Sequence, residues 1–414
     1  MGSFSFGSGN GAQLLRLPLH LGGAIVTRVV PRSANLWVFG CAIGIGEGAL
    51  ALWQQADAAG ERSVWLVAND REAADASARG IRWARKRSLR GFWSTVRAGV
   101  VVVTHGAGDV NRYGTAGSFL VQLWHGIPLK RIGLDSAVTA RAPIPVPGLA
   151  ALLRFAYRRT QRRIRLIPAA SHLVRGRLES AFGLSDDRVP VTGEPRVDVL
   201  SAGDAAHRRQ TAREAISGVT GAHLGDGTRL VLYAPTWRDG EPDPGVPTPA
   251  EWRGIVTVLE RADALLLIRS HPLGAGSYAP PADTDRVRSL GSDLVAEVTP
   301  LLPGVDVLIT DYSSLAYDSA LVPLPVIYFA PDEAAYADSR GFYGRYRDVA
   351  GDDVASDWTA AANQLERLLA DPFENQRRLD RAGSLSLAVH RHRDGRNAER
   401  VYQAIRRVRE GLDA

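Results

Sequence analysis

The sequence predicts an α/β protein with two Rossmann-like domains, each built on a parallel sheet. Short apolar runs rich in β-branched residues recur with helix-like stretches between them, which is typical of parallel strands buried on both faces. At 414 residues, the chain exceeds the size at which a single hydrophobic core usually stops growing. A polar stretch without strand signals, residues 201–228, separates two groups of runs and is predicted to be a linker.

Each predicted strand is one of these runs. In the first half they are residues 24–30, 36–39, 64–67, 100–103, 120–124, 165–167 and 189–191, and in the second half 230–233, 264–268, 305–309 and 326–329. We therefore expect one domain over residues 23–200 and a second over 229–385. A Gly/Ser-rich flexible tail is expected over 1–22, and a C-terminal helix over 386–414.

Composition narrows the class of protein. Hydrophobic residues make up 45% of the chain and charged residues 23%, which is the balance of an ordinary globular protein and not of a disordered or polytopic membrane protein. The single cysteine, Cys41, excludes an internal disulfide and any multi-thiolate metal site, and favours a reducing cytoplasm. We expect no secretory signal at the start of the chain and no transmembrane helix, since the most apolar window contains Glu47.

Arginines are concentrated in a segment that also carries aromatic and aliphatic residues. Lys86 and Lys130 are the only lysines among 50 basic residues. Over residues 152–167 the predicted membrane contacts are Arg154, Arg158, Arg159, Arg162 and Arg163. An interfacial helix on anionic lipid has this composition, and residues 83–97 form a second basic cluster of the same kind. A solvated basic face is the alternative for either segment, and no nucleic-acid-binding motif accompanies the charge.

Polar residues follow strand after strand of the predicted sheets. Thr104 and His105 follow one strand, His125 the next, and Arg196 lies just after the run at 189–191. In the second half, polar residues likewise follow the strands at 230–233, 264–268 and 305–309. Because ligands of open α/β sheets bind beyond the carboxyl ends of the strands, these side chains are expected to converge on a cleft between the two domains.

The second half is predicted to bind a diphosphate. Ser313 and Ser314 fall at a predicted helix start, where free backbone N–H groups and two hydroxyls would suit phosphate. The other predicted ligands are Thr236, Arg238, His271 and Asp311. An arginine fork, an imidazole and hydroxyls together suit a diphosphate. The alternative for Asp311 and Ser313 is that they only cap the helix.

In the first half, His125 is the candidate general base. Its unperturbed imidazole titrates near neutral pH, and Gly126 after it allows close approach of a substrate. Lys130 would either steady negative charge or form a surface ion pair. The sequence has neither a Walker A motif nor the dinucleotide fingerprint, and we predict no metal site. No cofactor is expected to be required, with Mg²⁺ as an optional aid.

Five motifs in a fixed order resemble one known family. They are His125-Gly126 with Pro128 and Lys130, 193–198 (GEPRVD), 234–238 (APTWR), 269–272 (RSHP), and 310–314 (TDYSS) with Asp318, Pro325 and Asp332. Together they resemble the CDP-glycerol glycerophosphotransferases, the teichoic acid polyol-phosphate primases and polymerases, over about residues 36–395. An ordered set is far more specific than any one of its motifs.

The resemblance implies a GT-B architecture, with an acceptor domain followed by a CDP-donor domain around a central cleft. It implies transfer of a polyol phosphate, glycerol phosphate first among the candidates, from a CDP-activated donor to a hydroxyl of a lipid-linked acceptor, with release of CMP. It also implies a cytoplasmic enzyme, peripheral at the inner face of the cell membrane. By the same resemblance, His125 is the base and His271 binds the donor diphosphate, with Arg238, Ser313 and Ser314 sharing the donor phosphates.

Several alternatives stay open from the sequence. The chain has no room for the long helical extension expected of polymerising members, which favours a primase or a single-unit transferase. A nucleotide-sugar glycosyltransferase of the same architecture and a non-catalytic membrane-associated binding module are the rival functions, whereas nucleic acid is not an expected partner. The polyol, the acceptor and the oligomeric state are not determined by these residues.

Overall fold

The computed structural model describes residues 17–137, 139, 148–225, 227–236, 238, 243–270, 278, 281 and 284–411, with 17–21 described by their backbone. The chain divides into two compact units. The first comprises Met1–His125, Arg131–Asp198 and His390–Ala414, and the second comprises Gly126–Lys130 and Val199–Val389. Each unit is built on its own parallel sheet, so the predicted α/β class is confirmed.

The first unit contains a six-stranded sheet. Its strands are β1 (Ser33–Phe39), β2 (Arg62–Val67), β3 (Trp83–Arg85), β4 (Ala98–Val103), β5 (Phe119–Gln122) and β6 (Ile164–Leu166), in the spatial order β3-β2-β1-β4-β5-β6. The neighbouring strands pair in parallel. Residues of β1 pair on both sides, since Trp37 lies opposite Ser63 and Val100. Trp37 and Phe39 are fully buried, which makes β1 the centre of this core.

The first unit also contains helices. They are α1 (Leu17–Val29), α2 (Glu47–Ala58), α3 (Asp70–Ala78), α4 (Leu89–Arg97), α5 (Leu149–Gln161), α6 (His172–Phe182) and, from the end of the chain, α14 (Asn397–Glu410). In α14, Val401 and Ile405 are four residues apart and fully buried, so one face of this helix joins the core. The Tyr402 ring stacks on Trp37 with 5.7 Å between centroids. The C-terminal segment is thus part of the first unit.

The second unit contains a five-stranded parallel sheet. Its strands are β7 (Arg229–Ala234), β8 (Ala264–Ile268), β9 (Val287–Ser289), β10 (Val307–Thr310) and β11 (Val326–Tyr328), in the order β11-β10-β7-β8-β9. Its helices are α7 (Ala205–Thr220), α8 (Pro249–Arg261), α9 (Leu315–Ser319), α10 (Glu333–Arg340), α11 (Arg347–Ala350), α12 (Trp358–Ala370) and α13 (Pro372–Val389). Tyr233, Phe329 and Trp358 pack together at the centre of its core.

Two predicted strands are wrong. Residues 24–29 lie in helix α1, because a short apolar run suits one face of a helix as well as a strand. Residues 189–191 contribute only one bridge, between Ala169 and Val191. Two short strands, β3 and β9, were not predicted, since each has three residues at the edge of its sheet and no apolar run.

Two boundaries also differ from the expected ones. Most of the predicted linker 201–228 is helix α7, which begins after the capping residue Asp204 and buries Ala212 and Ile216. Only two buried positions make its amphipathic pattern faint in the sequence. The predicted tail 1–22 already contains the start of α1 at Leu17. Among the described residues, no helix has the length and apolarity needed to cross a membrane.

Candidate active site

The loop after β4 is organised around a buried carboxylate. Asp109 accepts hydrogen bonds from the backbone N–H groups of Thr104 and His105 at 2.9 and 2.7 Å, and from Gly106 at 3.3 Å. The Thr104 hydroxyl lies 3.2 Å from the same carboxylate oxygen and 2.9 Å from Nδ1 of His105. These contacts fix both the backbone and the ring of His105 beyond the carboxyl end of β4.

His125 lies beyond the carboxyl end of β5, the neighbour of β4 in the sheet. Its ring is stacked on that of His105, with 4.0 Å between centroids and 3° between planes. Trp124 beside it has a positive φ of 64°, which is unusual for a bulky residue, and Gly126 has a φ of 136°. The Trp124 ring lies 4.1 Å from His125 and packs edge-on against Phe182. The half-buried imidazole of His125 therefore lies among other rings beyond the carboxyl ends of the strands. Ligands of open α/β sheets bind at this position.

Arg196 lies in a motif that fastens the C-terminal helix. Arg196 is 7% exposed and lies 3.6 Å from the buried carboxylate of Glu194. Asp198 accepts hydrogen bonds from the backbone N–H groups of Asn397 and Ala398, at the start of α14. Burial raises the pKa of Asp198 to about 6, against the lowering effect of these two bonds. In the structure this motif therefore holds the start of α14 in place. The predicted contact of Arg196 with substrate stays a prediction.

In the second unit, Arg238 is clamped between two carboxylates. It donates to Asp332 through Nε and Nη2, at 2.7 and 2.9 Å, and to Asp311 through Nη1 at 2.8 Å. Asp311 is also the acceptor for the backbone N–H of Thr236 at 2.9 Å. Burial opposes the charge of Arg238, but the hydrogen bonds to Asp332 and Asp311 raise the pKa of its guanidinium. Arg238 therefore holds the ends of β7, β10 and β11 together, and its predicted contact with phosphate stays a prediction.

Tyrosines form one side of this clamp. The rings of Tyr312 and Tyr336 stack with 4.0 Å between centroids, and the Arg238 guanidinium lies 4.9 and 5.1 Å from them. The Tyr312 hydroxyl donates to Asp332 at 2.9 Å. Although burial of Asp332 acts in the opposite direction, its bonds to Arg238 and Tyr312 lower the pKa of this carboxyl.

Lys130 belongs to the same cluster. Its Nζ lies 3.5 Å from the Tyr336 hydroxyl, and its backbone pairs with Phe342 in an isolated antiparallel bridge. Burial lowers the pKa of Lys130 to about 8, and the positive charge of Arg340 adds to this effect, while Asp311 opposes it. The predicted substrate residue Lys130 is thus a half-buried cation near two arginines, Arg340 and Arg238.

The serines of the predicted phosphate cradle precede the short helix α9, which has five residues. Ser313 Oγ accepts from the backbone N–H of Leu315 at 3.2 Å, as the capping alternative expects. Ser314 is half-buried at the position just before the helix. Thr236 lies at the end of β7 and is tied by its backbone to Asp311. For these serines and Thr236, phosphate binding stays a prediction.

His271 lies outside the described residues, so its predicted role rests on the sequence alone. Three residues that the structure brings to these clusters are absent from the predicted site: His105, Tyr336 and Arg340. The position of His105 after a strand was visible in the sequence, but its stacking on His125 was not. Over the described ranges, no three His, Cys, Asp or Glu side chains form a group that could hold a metal ion.

The predicted membrane arginines lie on and just after helix α5. Arg154, Arg158 and Arg159 are exposed on the helix, and Arg162 and Arg163 are exposed directly after it. The helix buries Tyr157 and Gln161, whereas Leu152 and Phe155 are 61% and 62% exposed. Arginines and large apolar side chains therefore share the outward surface of this segment.

Comparison with known proteins gives one consistent result. The family model described as CDP-Glycerol:Poly(glycerophosphate) glycerophosphotransferase matches residues 42–407. The teichoic acid glycerol-phosphate transferase of Staphylococcus aureus (strain NCTC 8325 / PS 47) is 27% identical over 292 residues, which are 69% of this chain and 70% of that protein. A teichoic acid poly(glycerol phosphate) polymerase of Staphylococcus epidermidis (strain ATCC 35984 / DSM 28319 / BCRC 17069 / CCUG 31568 / BM 3577 / RP62A) is 28% identical over 63% of this chain, but over only 35% of its own length.

Among solved structures, the wall teichoic acid polymerase TagF has a similar fold. The TM-score is 0.74 at 19% identity, and the match covers 97% of each chain. This similarity agrees with the predicted GT-B-like architecture of two α/β units, each with a parallel sheet. Because the family model spans nearly the whole described chain and both units, the chain belongs to the CDP-glycerol:poly(glycerophosphate) glycerophosphotransferase family.

Proposed function

We propose that this protein transfers a polyol phosphate from a CDP-activated donor to a hydroxyl of a lipid-linked acceptor, releasing CMP, in the synthesis of a teichoic acid-like polymer. Glycerol phosphate is the first candidate for the transferred group. The observation that carries the proposal is the family match over residues 42–407, which includes both the His125 and the Arg238 clusters. We propose that the two clusters act on one pair of substrates.

The charge of the second unit supports donor binding there. Lys130, Arg238 and Arg340 place three cations near one another, and the lowered pKa of Lys130 reflects the cost of burying its charge beside arginines. A diphosphate bound near Lys130 would relieve this cost by supplying negative charge. Asp311 and Asp332 already accept hydrogen bonds from Arg238, so this cation partly balances their negative charge. They would therefore orient the arginine and would not repel a diphosphate. Ser313, Ser314 and His271 are proposed to complete the donor site.

His125 is proposed to be the base. It would accept the proton of the acceptor hydroxyl as that oxygen attacks the phosphorus that carries the polyol. A new P–O bond would form to the acceptor, the P–O bond to CMP would break, and CMP would leave with the bonding electron pair. Positioning of the two substrates and stabilisation of the spreading negative charge would supply most of the rate, as in other phosphoryl transfers.

We further propose that helix α5 holds the enzyme at the inner face of the membrane. Its exposed arginines would pair with anionic head groups while Leu152 and Phe155 enter the boundary between head groups and acyl chains. This placement would bring a lipid-linked acceptor to an enzyme in whose described residues no spanning helix is found.

The membrane proposal predicts a selective loss of lipid binding. Replacing Leu152 and Phe155 together with serine is expected to lower binding to vesicles containing anionic lipid by about tenfold or more, since two large apolar side chains no longer leave water. Sedimentation with vesicles of phosphatidylglycerol and phosphatidylcholine measures the loss. Leu173→Ser is the control, because Leu173 is 52% exposed on α6 of the same unit. Equal binding by the double variant and the control would contradict the proposal.

A donor panel tests the reaction itself. Purified protein is incubated with CDP-glycerol, CDP-ribitol and UDP-sugars in the presence of a bacterial membrane extract, and nucleotide release and lipid products are measured. The expected result is CMP from one CDP-polyol and a phosphodiester signal in the phosphorus NMR spectrum of the product. UDP release with a glycoside product would identify the glycosyltransferase alternative, and no release from any donor would identify a binding module. Product length would separate single-unit transfer from polymerisation.

A further inference from the structure

We propose that His105 is a positioning residue for the base, and that its stacked imidazole orients the His125 ring. This inference rests on the proposed role of His125. It starts from an arrangement of two neighbouring strand ends, since β4 and β5 pair directly in the sheet. The rings of His105 and His125 are parallel within 3°, and their centroids are 4.0 Å apart.

The His105 ring is anchored more firmly than a surface ring would be. Its Nδ1 lies 2.9 Å from the Thr104 hydroxyl, which in turn lies 3.2 Å from the Asp109 carboxylate. Asp109 also accepts the backbone N–H of His105 at 2.7 Å, so both ends of the residue are fixed to one buried carboxylate. A ring held in this way is a rigid platform, and a ring stacked flat on it loses much of its freedom to rotate.

The stacked pair is not suited to carry two protons. Two imidazolium rings 4.0 Å apart would repel each other, so the first proton that the pair takes up disfavours the second. Burial lowers the pKa of His105, although Asp109 acts in the opposite direction, so His105 favours its neutral form. It therefore serves as an uncharged flat surface against the His125 ring.

A thiol, a carboxylate and an ammonium also lie around His105. Burial raises the pKa of the Cys41 thiol, which leaves this neighbour of Thr104 uncharged. Glu47 accepts from Cys41, and Lys86 donates to the carbonyl oxygen of Gly108, so one carboxylate and one ammonium lie at the periphery.

Two variants test the platform. His105→Phe keeps a flat ring, and His105→Ala removes it. With phenylalanine we expect kcat within about twofold of the parent, because the stacked surface remains. With alanine we expect kcat about tenfold lower, because the His125 ring is no longer held in one orientation. The KM for the CDP donor should not change in either variant.

NMR relaxation of the histidine rings makes the test independent of turnover. The His125 ring signal, assigned by its loss in His125→Ala, should show the ring motion of the parent in His105→Phe and greater ring motion in His105→Ala. Unchanged ring motion together with unchanged kcat in His105→Ala would overturn the inference, even where His125→Ala is inactive. Normal turnover by His125→Ala would instead refute the proposed base, and the relaxation data would still decide whether His105 orders the ring. Melting temperatures identify a variant that fails to fold. If His105→Ala does not fold, a loss of about tenfold in kcat in a folded His105→Phe would also contradict the inference.

Discussion

Turnover is expected to fall by about two to four orders of magnitude when His125 is replaced by alanine, if this imidazole is the general base. The acceptor hydroxyl would then lose its proton only to water, while the proposed donor site in the second unit would be intact. The expected signature is a lower kcat with little change in the KM for the CDP donor. CMP release at saturating donor and acceptor measures the first quantity, and a donor titration measures the second.

The matched control for this experiment is His172→Ala. His172 lies in the same unit, at the start of α6, and is exposed to solvent. Its replacement should leave both kinetic constants near those of the parent. If the turnover of His125→Ala stayed within a few-fold of the parent, His125 would not be the general base. If a large loss of turnover came with a lower melting temperature, the cause would be disturbed packing of the stacked rings and not the loss of a general base.

The fold was predictable because its strands obey a simple rule. Strands β1, β4, β7 and β8 each contain a run of apolar residues, as expected of strands in a sheet that is buried on both faces. These runs differ clearly from the sequence around them. The errors come from elements that lack this signature. Strand β3 contains Trp83, Ala84 and Arg85 and pairs on one side only, so its sequence has no apolar run to find. The run at 24–29 has the composition of a strand but lies in α1, where only tertiary packing decides between the two.

The place of the candidate residues after their strands was predictable, but the contacts that these residues make were not. Parallel strands place their carboxyl ends at one edge, which is why His105 and His125 could both be assigned to the end of a strand. Asp311, however, could be judged only as a cap or a phosphate neighbour from its local sequence. Its partners Thr236 and Arg238 are 75 and 73 positions away, and no local pattern reveals a pairing over that distance. The sequence around Arg238 likewise suggests a phosphate ligand, because its partners Asp311 and Asp332 are distant in the chain.

The clamp around Arg238 leads to the largest expected effect on stability. Replacing Arg238 with methionine would leave the buried carboxylate of Asp311 and the partly buried one of Asp332 without their cation. Removing one partner of a buried ion pair typically costs about 3–5 kcal/mol in the free energy of unfolding, because the remaining charge must stay buried without compensation. Denaturant unfolding of the purified variant measures this cost. Arg261→Met is the control, since Arg261 is 68% exposed in its ion pair with Glu366 and should contribute less than about 1 kcal/mol.

The same variant distinguishes a structural clamp from a ligand of the donor. A clamp predicts that part of the lost stability returns when Asp332→Asn is combined with Arg238→Met, because the double variant no longer has an unpaired carboxylate at that position. A phosphate ligand predicts instead that Arg238→Met unfolds like the parent but binds the CDP donor more weakly in calorimetry. If unfolding is unchanged and donor affinity falls, Arg238 acts on the substrate and Asp311 and Asp332 serve to orient it. If the free energy of unfolding falls and Asp332→Asn restores part of it, the main role of Arg238 is structural. Arg238 then holds together the strand ends on which the proposed donor site is built.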